Sequence, residues 1–347
     1  MRALRLDIVG YGNVGRALVK MLNAHADLRF TVVSLVTARH GWWADPTGID
    51  LGEALARTEL PSHGDPPKIA DLPGDVLVEL TTLDPRTGRP AFDHMVDALR
   101  ARKHVVTANK GPIAHHFGEL RELAWIAERQ LRFEATISDC LPVFNLARSA
   151  LPLAEIRRIR GIVSSTNNHI LSAAARGTSF ADALAEAQRL GIAEADPSND
   201  LEGWDAAVKA TILANVLMGG SIRVDDVRRS PIDEAAASNA ARAAAGGARL
   251  RPVIDVAREG EPPSPRSYVR MIGPRAPQRA RIGASFGPQR LDPLDPLFAV
   301  DGLSMALELE TDLAGRVVVQ LHDPHIEQVA YAVLTDLLEI AGWRSGI

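Results

Sequence analysis

The chain has 347 residues, 46% hydrophobic and 24% charged, with a net charge of −4. That is an ordinary globular composition and length enough for about two domains, and it excludes the basic footprint of a nucleic-acid or anionic-membrane binder. Cys140 is the only cysteine, which excludes an intramolecular disulfide and suits a reducing, cytoplasmic setting. No apolar run of about 18 residues predicts a membrane span, and the opening MRALRLDIVGYGNVG lacks the pattern of a secretion signal.

Residues 4–9 (LRLDIV) read as a strand, followed by GYGNVG and a helix to about Ala24. Further strands are expected at 30–37, 75–81, 104–109 and 131–137, with a helix over Pro90–Ala101. Continuously apolar strands alternating with helices predict an α/β fold, a parallel Rossmann-type sheet covered on both faces, over residues 1–146. After Leu146 the pattern becomes α+β: a strand at 155–166, then helices near 179–190, 203–218 and 233–245. Residues 250–297, rich in proline, arginine and glycine, read as strands and turns of this second domain, 147–324. SMALELETD and GRVVVQL predict a hairpin turning at 311–315, and HIEQVAYAVLTDLLEIAG a final helix within 325–347.

Gly10, Gly12 and Gly15 form G-x-G-x-x-G between a strand and a helix, with Asn13 and Val14 filling the last gap. The first glycine permits a tight turn, the second lets backbone approach a pyrophosphate, and the third packs helix on strand. The helix N-terminus then faces the anion, so a dinucleotide is the expected cofactor; the alternative is a glycine turn that binds nothing. The second strand ends in Thr37-Ala38-Arg39-His40, without the carboxylate that would meet the ribose of NAD. Arg39 is placed to meet a 2′-phosphate, which favours NADP over NAD unless Arg39 is simply solvated.

In the helix 203–218 the polar side chains are Asp205, Lys209, Thr211 and Asn215. A helix apolar on nearly every side is a buried one. Asp205 and Lys209, one turn apart, share a face, and charges placed there need pairing. Glu194, Asp196, Asp200 and Glu202 lie on the loop before them. A cleft lysine among carboxylates suits a small substrate with an ammonium group and an oxygen that exchanges a proton. The alternative is a solvent-exposed Asp–Lys pair.

These residues resemble the homoserine dehydrogenase family. GYGNVG, DVLVELTTLDPRTGRPAFDHMVDALRARKHVVTANKGPIA, EAT followed by LPVF, and FADALAEAQRLGIAEADPSNDLEGWDAAVKATILANVLMG follow that family in order and spacing, as does DPLFAVDG with its later ETD. The resemblance implies interconversion of aspartate 4-semialdehyde and L-homoserine with NAD(P)H, a substrate-binding and dimerisation domain, a homodimer, and a last helix that packs back on the nucleotide domain. It implies that Lys209 relays the proton, that Asp205 and Asp200 arrange it and the substrate, and that Glu194 takes the substrate ammonium. Lys110 is then a second lysine beside nicotinamide and substrate. Thr81, Thr82 and Asn109 are implied as cofactor contacts, and Thr166 and Asn168 as substrate-domain contacts. By position, Glu134, Ile137, Asp139 and Leu141 would hold a monovalent cation such as sodium. No regulatory domain is expected after the final helix.

Three stretches depart from the family pattern: Ile137-Ser138-Asp139-Cys140-Leu141-Pro142 lacks a usual glycine, LHDPHIEQVA (321–330) replaces a glycine-rich loop, and Ser164-Ser165-Thr166-Asn167-Asn168-His169 replaces NGTTNY. They keep two alternatives open: a related oxidoreductase for another small hydroxy or amino acid, or a catalytically silent dinucleotide-binding protein. His322 and His325 read as hydrogen-bonded residues rather than metal ligands, since no third ligand is evident. Cys140 reads as a small buried hydrophobe rather than a nucleophile.

Overall fold

The computed structural model describes residues 3–260 and 281–342, so part of the strand-and-turn region expected over 250–297 lies outside the described residues. The chain divides into two compact units: one comprises the chain up to Cys140 and the segment from His325 onward, the other Leu141–Pro324. The division falls a few residues before the boundary expected after position 146.

The first unit holds β1 (Leu4–Val9), α1 (Asn13–Ala24), β2 (Phe30–Val36), β3 (Trp42–Ala44), α2 (Leu51–Ala56), β4 (Val76–Glu79), α3 (Ala91–Arg100), β5 (His104–Thr107), α4 (Lys110–Ala127) and β6 (Leu131–Arg132). The last helix, α10 (Ile326–Ile340), belongs with it. The strands form one sheet in the order β3-β2-β1-β4-β5-β6, parallel except where short β3 runs antiparallel to β2. Leu6, Ile8, Val76, Leu77, Val78, Val105 and Val106 are fully buried. Helices cover both faces, so these strands read as apolar runs rather than alternating patterns. Leu18, Val19 and Leu22 on α1 share a core cluster with Ala330, Val333, Leu334 and Leu337 on α10.

Two polar ties interrupt this core. Asp7, fully buried in β1, accepts from Ser34 Oγ at 2.7 Å, the Gly74 N–H at 3.0 Å and Lys103 Nζ at 2.8 Å. Lys103 also donates to the Leu72 carbonyl. Asp336 of α10 is buried and accepts the Glu134 N–H at 2.8 Å. That bond explains a difference from expectation. A strand over 131–137 is anticipated, yet only Leu131–Arg132 pairs with β5, and Glu134–Thr136 forms a tight 3₁₀ turn. The Glu134 N–H goes to a side chain from the far end of the chain instead of a ladder.

The second unit holds β7 (Ile156–Ile162), α5 (Ser165–Ala175), α6 (Phe180–Arg189), α7 (Ser198–Leu201), α8 (Trp204–Leu217), β8 (Arg228–Arg229), α9 (Glu234–Ala245), β9 (Arg249–Arg258), β10 (Ile282–Leu291), β11 (Met305–Thr311) and β12 (Arg316–Leu321). Its sheet runs β12-β11-β7-β9-β10-β8. Neighbours are antiparallel except β10 and β8, which are parallel. The β11–β12 hairpin turns where expected, with the Thr311 N–H on the Gly315 carbonyl at 2.8 Å. The strand expected over 155–166 stops at Ile162, and α5 begins three residues later, Ser164 accepting the Asn167 N–H as its N-cap. Residues 165–169 (STNNH) are weak helix formers. Their burial, from Thr166 to His169, and the distant partners of their side chains override that preference.

Candidate active site

The glycine loop leaves β1 at its C-terminal end. Gly10 has φ +103°, and a Cβ there would run into the Leu80 backbone, so only glycine fits. A Cβ on Gly15 would meet the Gly10 carbonyl, which is the close helix–strand packing the motif requires. At Gly12 an added Cβ meets nothing within 4 Å, and Gly12 and Asn13 are exposed. Gly12 caps α1 without a side-chain hydrogen bond, so the first N–H groups of the helix, those of Asn13, Val14 and Gly15, have no side-chain cap. An open approach at Gly12 and an uncapped helix start fit the pyrophosphate of a dinucleotide. Gly10→Ala is expected to cost roughly 1–3 kcal/mol from the backbone conformation alone and to abolish cofactor binding. A melting curve and a titration of nicotinamide fluorescence check it.

The other cofactor candidates follow the ends of neighbouring strands, where ligands sit in open α/β sheets. Glu79 closes β4 opposite Val9 and is fully buried. It accepts the Thr81 N–H at 3.2 Å and the Thr81 hydroxyl, while Thr107 Oγ1 donates to the Glu79 carbonyl at 3.0 Å. Asn109 donates to the Thr81 carbonyl at 3.2 Å and caps α4 by accepting from the Gly111 N–H at 3.2 Å. Thr81, Asn109 and the start of α4 are thereby brought together. Lys110 is half-buried as the first residue of α4, and Thr82 is exposed beside Thr81. Arg39 is exposed in the turn after β2, which Thr37 braces by donating to the Gly41 carbonyl at 2.9 Å and accepting the His40 N–H at 2.7 Å. Sequence reading missed Glu79. Its signal is a lone acid ending an apolar strand.

The second unit carries the lysine. Gly203 starts α8 at φ +78°, with the Phe286 ring where a Cβ would stand. Asp205 therefore falls in the first turn, where the helix dipole favours a carboxylate. One turn on, Lys209 Nζ lies 2.8 Å from Asp205 Oδ2, with side-chain exposures of 10% and 18%. Lys209 also donates to the Val163 carbonyl, just past the end of β7. An ammonium has three donors, so two anchors leave one N–H to meet a substrate oxygen. The solvent-exposed alternative for this pair is overturned by its burial.

Thr166, three residues after Val163, donates to Asp200 Oδ2 at 3.2 Å and to the Ile192 carbonyl at 3.1 Å. Asn167 donates to the Asp200 carbonyl at 2.7 Å. The start of α5 and the α7 loop are so tied to one another beside the lysine anchor. Glu194 is exposed on that loop, its carbonyl taking Gln188 Nε2 at 3.2 Å. Asn168 is fully buried and donates to the carbonyls of Val300 at 3.3 Å and Ser304 at 3.1 Å, so it holds the 300–304 loop.

Glu134 and Ile137 are buried in the first unit, Asp139 is left-handed at φ +47°, and Leu141 is buried in the second. Among the described residues no group of three or more His, Cys, Asp or Glu is placed to hold a metal ion. His322 faces Ser304 Oγ at 3.2 Å and His325 pairs with Glu327 at 3.0 Å. Burial, with the Asp139 charge adding to it, pushes the Cys140 thiol up, away from nucleophilic use. Among the described residues no helix is long and apolar enough to cross a membrane.

Residues 142–338 match the homoserine dehydrogenase family, and residues 10–134 match the homoserine dehydrogenase NAD binding domain. A homoserine dehydrogenase of Methanocaldococcus jannaschii is 34% identical, covering 96% of this chain and 97% of that protein. An NAD(+)-dependent homoserine dehydrogenase of Pseudomonas canavaninivorans is 30% identical over 98% and 97%. A hyperthermophilic archaeal homoserine dehydrogenase solved in complex with NADPH superposes with a TM-score of 0.78 at 27% identity, covering 98% of each chain.

Proposed function

Because this chain belongs to the homoserine dehydrogenase family, NAD(P)-dependent oxidoreductases acting on a hydroxyl group, we propose that Lys209 exchanges the proton with the substrate oxygen. The reaction interconverts aspartate 4-semialdehyde and L-homoserine, and a nicotinamide, when bound, would supply or accept the hydride. The observation that carries the proposal is the buried Lys209–Asp205 pair anchored on the Val163 carbonyl. In reduction the carbonyl oxygen gains negative charge. The Lys209 ammonium stabilises it through its remaining N–H and then gives up the proton. In oxidation the same nitrogen receives the alcohol proton. Asp205 holds the lysine in place, and Asp200, fixed by Thr166, positions the loop that brings Glu194 to the substrate ammonium. Lys110 adds a second positive charge on the nucleotide side. Turnover with L-homoserine against a panel of other small hydroxy amino acids, followed by nicotinamide absorbance, tests the substrate assignment. Homoserine giving no turnover while another substrate does would defeat it.

NADP is the proposed preference. Arg39, exposed at the end of β2 with no carboxylate beside it in the Thr37–His40 turn, supports it through the charge of a 2′-phosphate. Gly10, Gly12, Asn13, Val14 and Gly15 would cradle the pyrophosphate, with Thr81, Thr82, Asn109 and Lys110 toward the nicotinamide. Arg39→Asp is expected to weaken NADPH about tenfold or more while changing NADH little, since a charge-assisted contact to phosphate is lost. Parallel titrations decide it; equal losses for both cofactors would reject the role. The family resemblance also supports a homodimer, a cytoplasmic setting, and a monovalent cation at Glu134, Ile137, Asp139 and Leu141.

A further inference from the structure

The second unit contains a cavity of about 230 Å³ that neither Lys209 nor Asp205 lines. Its walls are Ser172 and Arg176 from the end of α5, Arg249 and Arg251 from the start of β9, and Phe298 and Asp301 from the loop between β10 and β11. Arg249 and Arg251 are two apart on a strand and so project to one side of the sheet. Arg251 is 1% exposed, the largest fully buried side chain among the described residues. It donates to Ser172 Oγ at 2.6 Å, Asp301 Oδ1 at 3.0 Å and the Phe298 carbonyl at 3.3 Å, yet its Nε has no partner among the described residues. Arg176 meets the other Asp301 oxygen at 3.0 Å. Arg249 lies over the Phe298 ring, 5.5 Å from its centroid, with a backbone carbonyl as its hydrogen-bond acceptor.

Two guanidinium groups, those of Arg251 and Arg176, thus hold one carboxylate, and a third, that of Arg249, lines the same cavity. Burial lowers the Arg251 pKa; Asp301 opposes this, and Arg249 and Arg176 push it further down by repulsion. Arginine does not discharge in proteins, so the excess positive charge and the orphaned Nε both call for an acceptor. The volume is below that of pockets for drug-sized ligands, and guanidinium forks match carboxylate and phosphate oxygens in pairs. We propose that this cavity is a second binding site, for a small dianionic oxyanion, with Arg249 and Arg176 as its outer arms and Arg251 as its floor. Nothing in the proposed dehydrogenase chemistry uses these residues.

Calorimetric titration of the full chain at constant ionic strength tests it, with inorganic phosphate and succinate as separate probes. Saturable binding of at least one probe is expected, weakened about tenfold by Arg249→Gln or Arg176→Gln, the loss of one charged hydrogen-bonding arm. Binding should be unchanged in Arg39→Gln, which separates the site from the nucleotide loop. Phosphate or succinate alone identifies the source as a phosphoryl or dicarboxylate group; equal binding means charge and size decide. These variants alter half-exposed or exposed arms and avoid the buried Arg251. No saturable binding of either probe, or affinities equal in wild type and Arg249→Gln, overturns the proposal.

Discussion

Lys209→Ala is expected to lower turnover by about 10²–10⁴-fold, the usual worth of a positioned proton-transfer group, while leaving cofactor affinity as it was. The separation follows from the fold. Lys209 belongs to α8 of the second unit, and the glycine loop to the first. The variant also leaves Asp205 without its 2.8 Å partner, so some stability is lost, and a melting curve must accompany the kinetics. Asp205→Asn keeps the shape and removes the charge. It should lower turnover less than Lys209→Ala and shift the pH profile, as a positioning residue does. Wild-type turnover in folded Lys209→Ala would end the proton-relay assignment.

Lys103→Met is expected to destabilise the first unit by roughly 3–5 kcal/mol, the cost of leaving a buried carboxylate without its cation. Asp7 is completely buried and Lys103 is 5% exposed. Ser34 and Gly74 would still donate to Asp7, but two neutral donors do not replace an ammonium at 2.8 Å. Urea denaturation gives the loss directly. Adding Asp7→Asn to Lys103→Met should recover part of it, because the orphaned charge is then gone, and the cycle of single and double variants isolates the pair. An unchanged midpoint in Lys103→Met would show that the pair contributes nothing net.

The parallel strands were legible because burial on both sides leaves an unbroken apolar run, as in Val76–Val78. The Lys209–Asp205 pair was legible for the opposite reason: two charges one turn apart stand out on a helix otherwise made of apolar residues. Helix α5 was not. Its polar residues look like a loop until Asp200, Val300 and Ser304 are seen to satisfy them, and those partners lie far along the chain. The shortened β6 has the same cause, since Asp336 is 202 positions away from the Glu134 N–H it takes. Glu79 shows in the sequence only as a lone acid ending an apolar strand; Thr81 and Thr107, which meet it at the strand ends, appear only in the fold. Local periodicity reports which face is buried, whereas long-range polar bonds decide where elements stop.

The docking of α10 beside α1 sets an order of events during synthesis. The cluster that α10 completes with Leu18, Val19 and Leu22 stays open until the final helix has emerged from the ribosome. Every residue of the intervening unit has been made by then. The first unit is therefore completed only after the second has been made, and until then its nascent helix presents a bare leucine–valine stripe, the kind of surface that chaperones shield.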